Sequence, residues 1–407
     1  MSTRTPISRP IMLLGLVSLL TDMASELLYP VAPLYLTGPL GASLVLVGLL
    51  EGIAEGMAGF LKGYFGALSD RLGTRAPFVQ AGYTLSALSK PLPGLWPAAG
   101  AVVVGRLADR LGKGLRSAPR DALLAGYAPA GAQGRVFGFH RAMDTAGAVL
   151  GPLLAIAFLT WRPGDYTTLF LLAFLPGILA VLCVWWVKDV PFQPASGRRF
   201  APFAVFAYWR SAPAAYRQLV AALTLFGLVN SSDVFLILKA KQVGFSDTAA
   251  IGGYVLYNGV YALAAYPAGD LADRLGKRQV IVLGLGLYAV VYAGFALLTQ
   301  IWQVWLCFAL YGLYAAATEG VSKAWIADLV PPEQRGSAIG LQTMLASFSV
   351  LVASSLAGLL WEQVAPAAPF WLAAGGAGLA ALWLGTVSPD ARVEHQSGDN
   401  LSGRRDV

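Results

Sequence analysis

The chain has 407 residues, of which 57 % are hydrophobic and only 13 % charged, with a formal net charge of +7. A mean hydropathy of +0.62 lies outside the range of soluble domains, so the composition describes a membrane protein. No polar block is long enough for an attached extramembrane enzyme, and the basic balance serves orientation in the membrane rather than a nucleic-acid partner.

Pro, Gly and charge clusters divide the sequence into twelve apolar spans, beginning near residues 11, 42, 76, 97, 134, 166, 215, 247, 278, 301, 335 and 367. Each is long enough to cross ~30 Å of hydrocarbon. The opening "MSTRTPISRP" runs into an apolar stretch too long for a signal peptide, so the first span is expected to be retained. Connections after even-numbered spans, with both ends of the chain, hold nearly all the Lys and Arg: Arg4 and Arg9, Arg71 and Arg75, Arg135, Lys188 to Arg217, Arg274 to Arg278, and Arg335. The positive-inside rule then places both termini in the cytoplasm and the protein in the inner membrane. The expected fold is all-α and twelve-helical. Its bundles cover 1–187 and 215–387, with a cytoplasmic connection over 188–214 and a disordered polar tail over 388–407.

In chain order, span 1 carries Asp22 and Glu26 on one helical face, followed by Pro30 and Pro33, at which the helix is able to bend. Span 2 adds Glu51, Glu55 and Lys62 on one face, then ends in "GALSDRLGTR". Span 4 holds the densest charge, with Arg106, Asp109, Arg110, Lys113, Arg116, Arg120 and Asp121 recurring at three- and four-residue steps. Seven charges facing lipid at ~2.5 to 3.5 kcal/mol each would outweigh the ~5 to 15 kcal/mol of net stability of a domain, so the stripe must face something polar. Arg116, Arg120 and Asp121 are expected to reach the cytoplasmic end, and the first four to lie deeper. Span 5 contributes His140, Arg141 and Asp144, then a small-residue face of Gly147, Gly151 and Pro152. The second half is sparser, with Asn230, Asp233, Glu319 and Lys323 as its main intramembrane polar residues.

The two halves repeat. "GALSDRLGTR" returns as "GDLADRLGKR" at an offset of 203 residues, "APAGAQGRVFG" parallels "VPPEQRGSAIG", and "SLLTD" ending at Asp22 parallels "VNSSD" ending at Asp233. The same offset sets Tyr254 and Asn258 opposite Glu51 and Glu55, so titratable groups persist in one copy only.

These residues resemble the major facilitator superfamily from about residue 11 to 387. The family's loop motif G-x-L-A-D-R-x-G-R-R is carried by Gly66, Asp70, Arg71, Gly73 and Arg75, with Ser69 and Thr74 departing from it. A second copy is carried by Gly269, Asp273, Arg274, Gly276, Lys277 and Arg278. The resemblance implies that this loop is a conformational latch between helices, in keeping with charge-assisted bonds that form in one state and break in another. Gly147, Gly151 and Pro152 resemble a signature of proton-driven exporters in the superfamily, although Ala155 and Ile156 replace its final glycine pair.

The expected function is therefore secondary transport by alternating access, as proton-coupled efflux of a small organic compound by a monomer in the bilayer. Candidate proton carriers are Asp22, Glu26, Glu51, Glu55 and Asp144, with Asp22 and Glu55 foremost. Candidate substrate-cavity residues are Arg106, Asp109, Arg110, Lys113, His140, Arg141, Asn230, Asp233, Tyr254, Asn258, Glu319 and Lys323. Transport of an organic anion drawn by the basic stripe is the alternative, and a transporter-like sensor or a membrane enzyme is the alternative of another class. An enzyme would need a nucleophile with its base or a metal cluster. His140, His395, Cys183 and Cys307 offer neither, so no metal or cofactor is expected.

Overall fold

The computed structural model describes residues 7–386 apart from Pro30, Ser43, Gln193, residues 195–203 and Ser246. It is all-α, with sixteen helices and no strand among the described residues. In the first half these are α1 Arg9–Leu28, α2 Val31–Thr37, α3 Leu44–Leu72, α4 Ala76–Ser89, α5 Leu92–Leu95, α6 Ala99–Tyr127, α7 Gln133–Trp161 and α8 Tyr166–Val184. The connection holds α9 Ala204–Ser211. The second half comprises α10 Ala214–Gly227, α11 Val234–Gln242, α12 Asp247–Leu275, α13 Lys277–Leu297, α14 Ile301–Leu329, α15 Arg335–Gln363 and α16 Ala368–Thr386.

Taking α1 with α2, α4 with α5 and α10 with α11 as single spans gives twelve crossings in two sets of six, each beginning within a few residues of the position expected from sequence. Seven helices among the described residues, α1, α7, α8, α13, α14, α15 and α16, are long and apolar enough to cross a membrane by length and composition alone. Of the other spans, α6 runs for 29 residues but carries charge, and α4 and α10 are cut to 14.

The repeat survives as geometry. Helices α3 and α12 are both 29 residues long, and the first span of each half is broken, α1 from α2 around position 30 and α10 from α11 over Leu228–Asp233. Pro30 falls at the first break in the sequence, and a proline has no backbone N–H to donate. The second break carries Asn230, Ser231, Ser232 and Asp233, whose side chains compete for backbone hydrogen bonds.

The halves meet through two equivalent crossings, α3 on α15 and α7 on α12. Both are built on glycine pairs. A Cβ at Gly66 would strike the carbonyl of Gly336, and one at Gly269 would strike that of Gly134, so the backbones approach closely only because neither partner has a side chain. These crossings lie toward the end of the molecule that carries the outer ends of the first and last helices, called here the basic end. Toward the other end the halves part: a Cβ at Gly52, Gly56 or Gly259 would meet no atom, and Ile53 is half exposed. Within the first half, Gly147 and Gly151 bring α7 against the backbone of α1 at Leu19, Met23 and Leu27.

The connection over 188–214 is more than a polar tether. Helix α9 packs on α3 and α15, and Tyr208 is buried with its ring 5.4 Å from that of Tyr216. Just before it, the Asp189 carboxylate accepts from the backbone N–H groups of Arg75 and Ala76, at 2.8 and 3.0 Å, holding the start of α4. The tail over 388–407 lies outside the described residues.

Candidate functional site

The two copies of the loop motif sit at the two glycine crossings. Asp70, buried at the end of α3, accepts from the backbone N–H of Gly336 at 3.1 Å and from the N–H and hydroxyl of Ser337 at 2.6 and 3.0 Å. It is also ion-paired with Arg75 at 2.9 Å, and that guanidinium donates onward to the Pro332 carbonyl of the other half. Asp273 repeats the arrangement at the end of α12, accepting from the N–H groups of Gly134 and Arg135 at 2.7 and 2.8 Å and pairing with Lys277 at 3.1 Å. In each case a carboxylate takes up orphan N–H groups at the first turn of a helix from the other half, where the helix dipole also favours it. Gly73 and Gly276 turn the chain after each aspartate with φ of 68° and 101°. Arg71 and Arg274 point outward, the latter pairing with Asp270 at 2.7 Å, and Arg278 is half-buried at the start of α13.

Above this closure the charged stripe of α6 lies inside the protein. Val104 and Leu111 on its other faces are exposed. The stripe divides among three sets of partners. Toward the open end, just after Arg106, Asp109 turns into the first bundle, pairing with Lys90 at 2.7 Å and accepting from Ser86, while Lys90 also donates to Ser25 at 2.8 Å. Asp109 is thus a packing partner inside one half and not a lining residue of the space between halves, a correction to the expectation. The sequence hid this because Lys90 reads as the loop after an apolar run, and only tertiary packing brings it to α6.

In the middle of the stripe, Arg110 pairs with Glu55 at 3.1 Å, and the Glu55 side chain is 56 % exposed, so this pair looks into the open space. Lys113 and Arg110 are the cations whose fields weigh most on Glu26 across from them on α1. Arg106 lies with its guanidinium 5.1 Å from the Tyr29 ring. The Glu51 side chain lies outside the described residues.

At the foot of the stripe, Arg116, Arg120 and Asp121 are buried rather than extended to an aqueous surface, a second correction. Asp121 is held by Arg120 at 2.9 Å and by Lys323 of α14 at 2.5 Å, and Arg116 lies over the Tyr83 ring. Lys323 is therefore a strut between halves, not a cavity residue. A buried pair at a helix crossing removes the lipid cost that snorkelling would otherwise avoid. His140, also buried, presents Nε2 without a hydrogen-bond partner beside this group.

One cluster joins the halves at mid-height. The Asp22 carboxyl of α1 stands beside that of Asp144 on α7, close enough for each to act on the other. Asp144 accepts from Ser18 and from Arg141 at 2.8 Å, and Arg141 also reaches Glu319 of α14 at 3.1 Å. Glu319 is 48 % exposed, so this chain ends in the open space.

The second half has an aromatic core next to its polar residues, with Tyr257, Tyr288, Tyr292 and Tyr311 all buried. Asp233 accepts from the Tyr311 hydroxyl at 2.7 Å, Asn230 from Tyr288 at 3.0 Å, and Asn258 donates to the Tyr254 carbonyl at 3.0 Å. Tyr257 and Tyr311 lie 4.8 Å apart, Tyr288 and Tyr292 3.9 Å. Tyr254 stands in the fields of both Asp233 and Glu26, one from each half. Asn230, Asp233, Tyr254 and Asn258 are thus brought together as one wall. Sequence reasoning missed Tyr257, Tyr288, Tyr292 and Tyr311, although their helical spacing in a charge-poor half was a usable signal.

A family model described as Major Facilitator Superfamily matches residues 14–257 and 239–403. An uncharacterised MFS-type transporter of Methanocaldococcus jannaschii is 34 % identical over 88 % of this chain and 89 % of its own length. The class G tetracycline resistance protein of Vibrio anguillarum is 25 % identical over 81 % of this chain and 84 % of its own. Among solved structures, the human organic anion transporter MFSD10 superposes with a TM-score of 0.80 at 19 % identity, covering 93 % of this chain and 100 % of that one.

Proposed function

We propose, from the premise that the chain belongs to the Major Facilitator Superfamily, that it is a proton-coupled exporter of a small organic compound working by alternating access. Its membrane is the cytoplasmic one and its basic end faces the cytoplasm, as the distribution of Lys and Arg supports. The closed basic end and the parted opposite end then correspond to an outward-facing state.

The observation that carries the coupling is the bridge from Asp144 through Arg141 to Glu319, with Asp22 beside Asp144. A carboxylate only accepts hydrogen bonds, so two carboxyl groups in contact are compatible when a proton lies between them. Loss of that proton leaves two negative groups competing for Arg141, the residue that bridges the halves. Protonation on one side of the membrane and release on the other thereby alters an interdomain contact, which is what coupling requires. Efflux as the direction is supported by the relative named for tetracycline resistance. Glu55, half exposed and paired with Arg110, is a second proton candidate at the cavity wall.

The experiment is flux in proteoliposomes under an imposed pH gradient, using a compound first identified by thermal-shift screening of the purified protein. Gradient-driven accumulation in the wild type, abolished in Asp22→Asn, is the expected result. Movement indifferent to the gradient would overturn proton coupling.

A further inference from the structure

We propose that the outer face of the second half holds an anionic phospholipid, with an acyl chain lodged between α10 and α15 and the phosphate taken by Arg217 and Arg210. A cavity of about 480 Å³ lies there, lined by Trp209, Ala221, Thr224, Leu225, Leu341 and Leu345. That volume is within the range of about 300 to 1,000 Å³ typical of ligand pockets. Apart from Thr224 the lining is aliphatic or aromatic, so it suits hydrocarbon rather than a hydrated solute.

The seam between α10 and α15 is joined at both ends and gapes between them. Toward the basic end the Tyr216 hydroxyl donates to the Ala338 carbonyl at 2.8 Å. Farther up, a Cβ at Gly227 would strike the Ser349 side chain, so the helices touch again. The equivalent seam of the first half is drawn together by Gly147 and Gly151, where, at the repeat offset of 203 residues, the second half has Val350 and Ser354. The cavity faces outward. Ser347, which meets Lys62 and Gly59 of α3, is two residues beyond Leu345 and so about 200° round α15 from it. Leu225 and Leu228, which both line the cavity, are 40 % and 38 % exposed.

Charge selects the lipid. Arg217 continues the face of α10 that bears Ala221, Thr224, Leu225 and Leu228, one turn nearer the basic end. At about 1.5 Å per residue, Ala221 to Leu228 lies ~6 to 16 Å deeper than Arg217, the reach of a chain in one leaflet of a ~30 Å core. Arg210 follows Trp209 on α9. Both arginines are exposed, and neither is paired with an acid among the described residues. Guanidinium groups take phosphate oxygens in pairs, and basic residues at this depth attract anionic headgroups over zwitterionic ones.

The test compares phosphatidylglycerol with phosphatidylcholine of the same acyl chains, each added to the delipidated full chain in an uncharged detergent. Phosphatidylglycerol should remain bound in native mass spectrometry and raise the thermal unfolding temperature, because an occupant touching both α10 and α15 ties them together. Phosphatidylcholine should bind about tenfold more weakly. Arg210→Gln and Arg217→Gln together should bring the two lipids level, whereas Thr224→Trp, which fills the cavity, should weaken both; Ala221→Leu does the same on a smaller scale should the tryptophan prevent folding. Equal binding of the two lipids by the wild type, a preference unchanged in the arginine variant, or binding undiminished in the folded cavity-filling variant would each overturn the site. None of these measurements involves a transported compound, so failure of the lipid site leaves proton-coupled export standing, and failure of coupling leaves the lipid site standing.

Discussion

The two walls that face each other between the halves come from one duplicated sequence and have diverged into different chemistry. The first half keeps acids and bases in matched pairs, such as Glu55 with Arg110 and Asp144 with Arg141. The second half keeps two acids, Asp233 beside Tyr311 and Glu319 in reach of Arg141. A proton that reaches a matched pair frees its base for another acid, whereas an acid with no base nearby has no such exchange to make. Nothing comparable separates the latches, where Asp70 and Asp273 hold helix starts in near-identical geometry. Duplication preserved the closure and changed the chemistry above it.

The sharpest way to break this division is to neutralise one acid in each wall. Asp22→Asn should reduce gradient-driven accumulation to the background of empty liposomes while leaving binding in place. Asp233→Asn should raise KM about tenfold while the response to the pH gradient persists. If both variants lose coupling and keep affinity, the walls do not differ in role.

A smaller effect is expected from the latches, and it asks whether equal geometry means equal weight. Asp70→Asn should slow transport about tenfold at equal expression, because Asp70 serves three donors from the other half as well as Arg75. Asp273→Asn should slow it less, since Asp273 serves two such donors and Lys277 also holds Asp328 at 2.7 Å. Initial rates of substrate exchange check both, and a greater loss in Asp273→Asn would reverse the ranking.

How far this was legible in the sequence depended on whether a feature was local or tertiary. The twelve spans, the duplication and the motif copies could be read because hydropathy, spacing and glycine placement are properties of short stretches. The fate of the α6 stripe could not. Seven charges on one helix face indicate polar surroundings, but not that Asp109 belongs to Lys90 or Asp121 to Lys323, pairs made by residues 19 and 202 positions apart. The buried tyrosine cluster of the second half escaped notice because each tyrosine alone reads as ordinary packing.

The stripe offers the next comparison, between its middle and its foot. Arg120→Ala would strand Asp121, only 1 % exposed, with Lys323 as its remaining partner, and should lower folding stability by about 3 kcal/mol. Arg110→Ala releases Glu55, which is already half exposed, so stability should change by less than about 1 kcal/mol while flux changes more. Thermal unfolding and flux measured side by side separate the two. Equal destabilisation would place both arginines in the same environment.

The smallest effect on transport is expected where a charge pair has no view of the space between the halves. Lys90 and Asp109 lie buried within the first bundle, 2.7 Å apart, with Ser25 and Ser86 completing their hydrogen bonds. Either single change, Lys90→Met or Asp109→Leu, leaves one charge without its partner in a low-dielectric interior and should cost about 3 to 5 kcal/mol. Made together, the two changes remove both charges and fill similar volume, so most of that loss should return, with transport near the wild-type rate. The double variant therefore distinguishes a packing pair from a working one by a readout that stability alone cannot give. The same treatment of Arg141 and Asp144, replaced together by Met and Leu, should leave a folded protein that no longer responds to a pH gradient. A Lys90→Met, Asp109→Leu protein that folds but has lost its pH response would move this pair from packing into the coupling machinery, and the division between a paired interior and a paired cavity wall would fail.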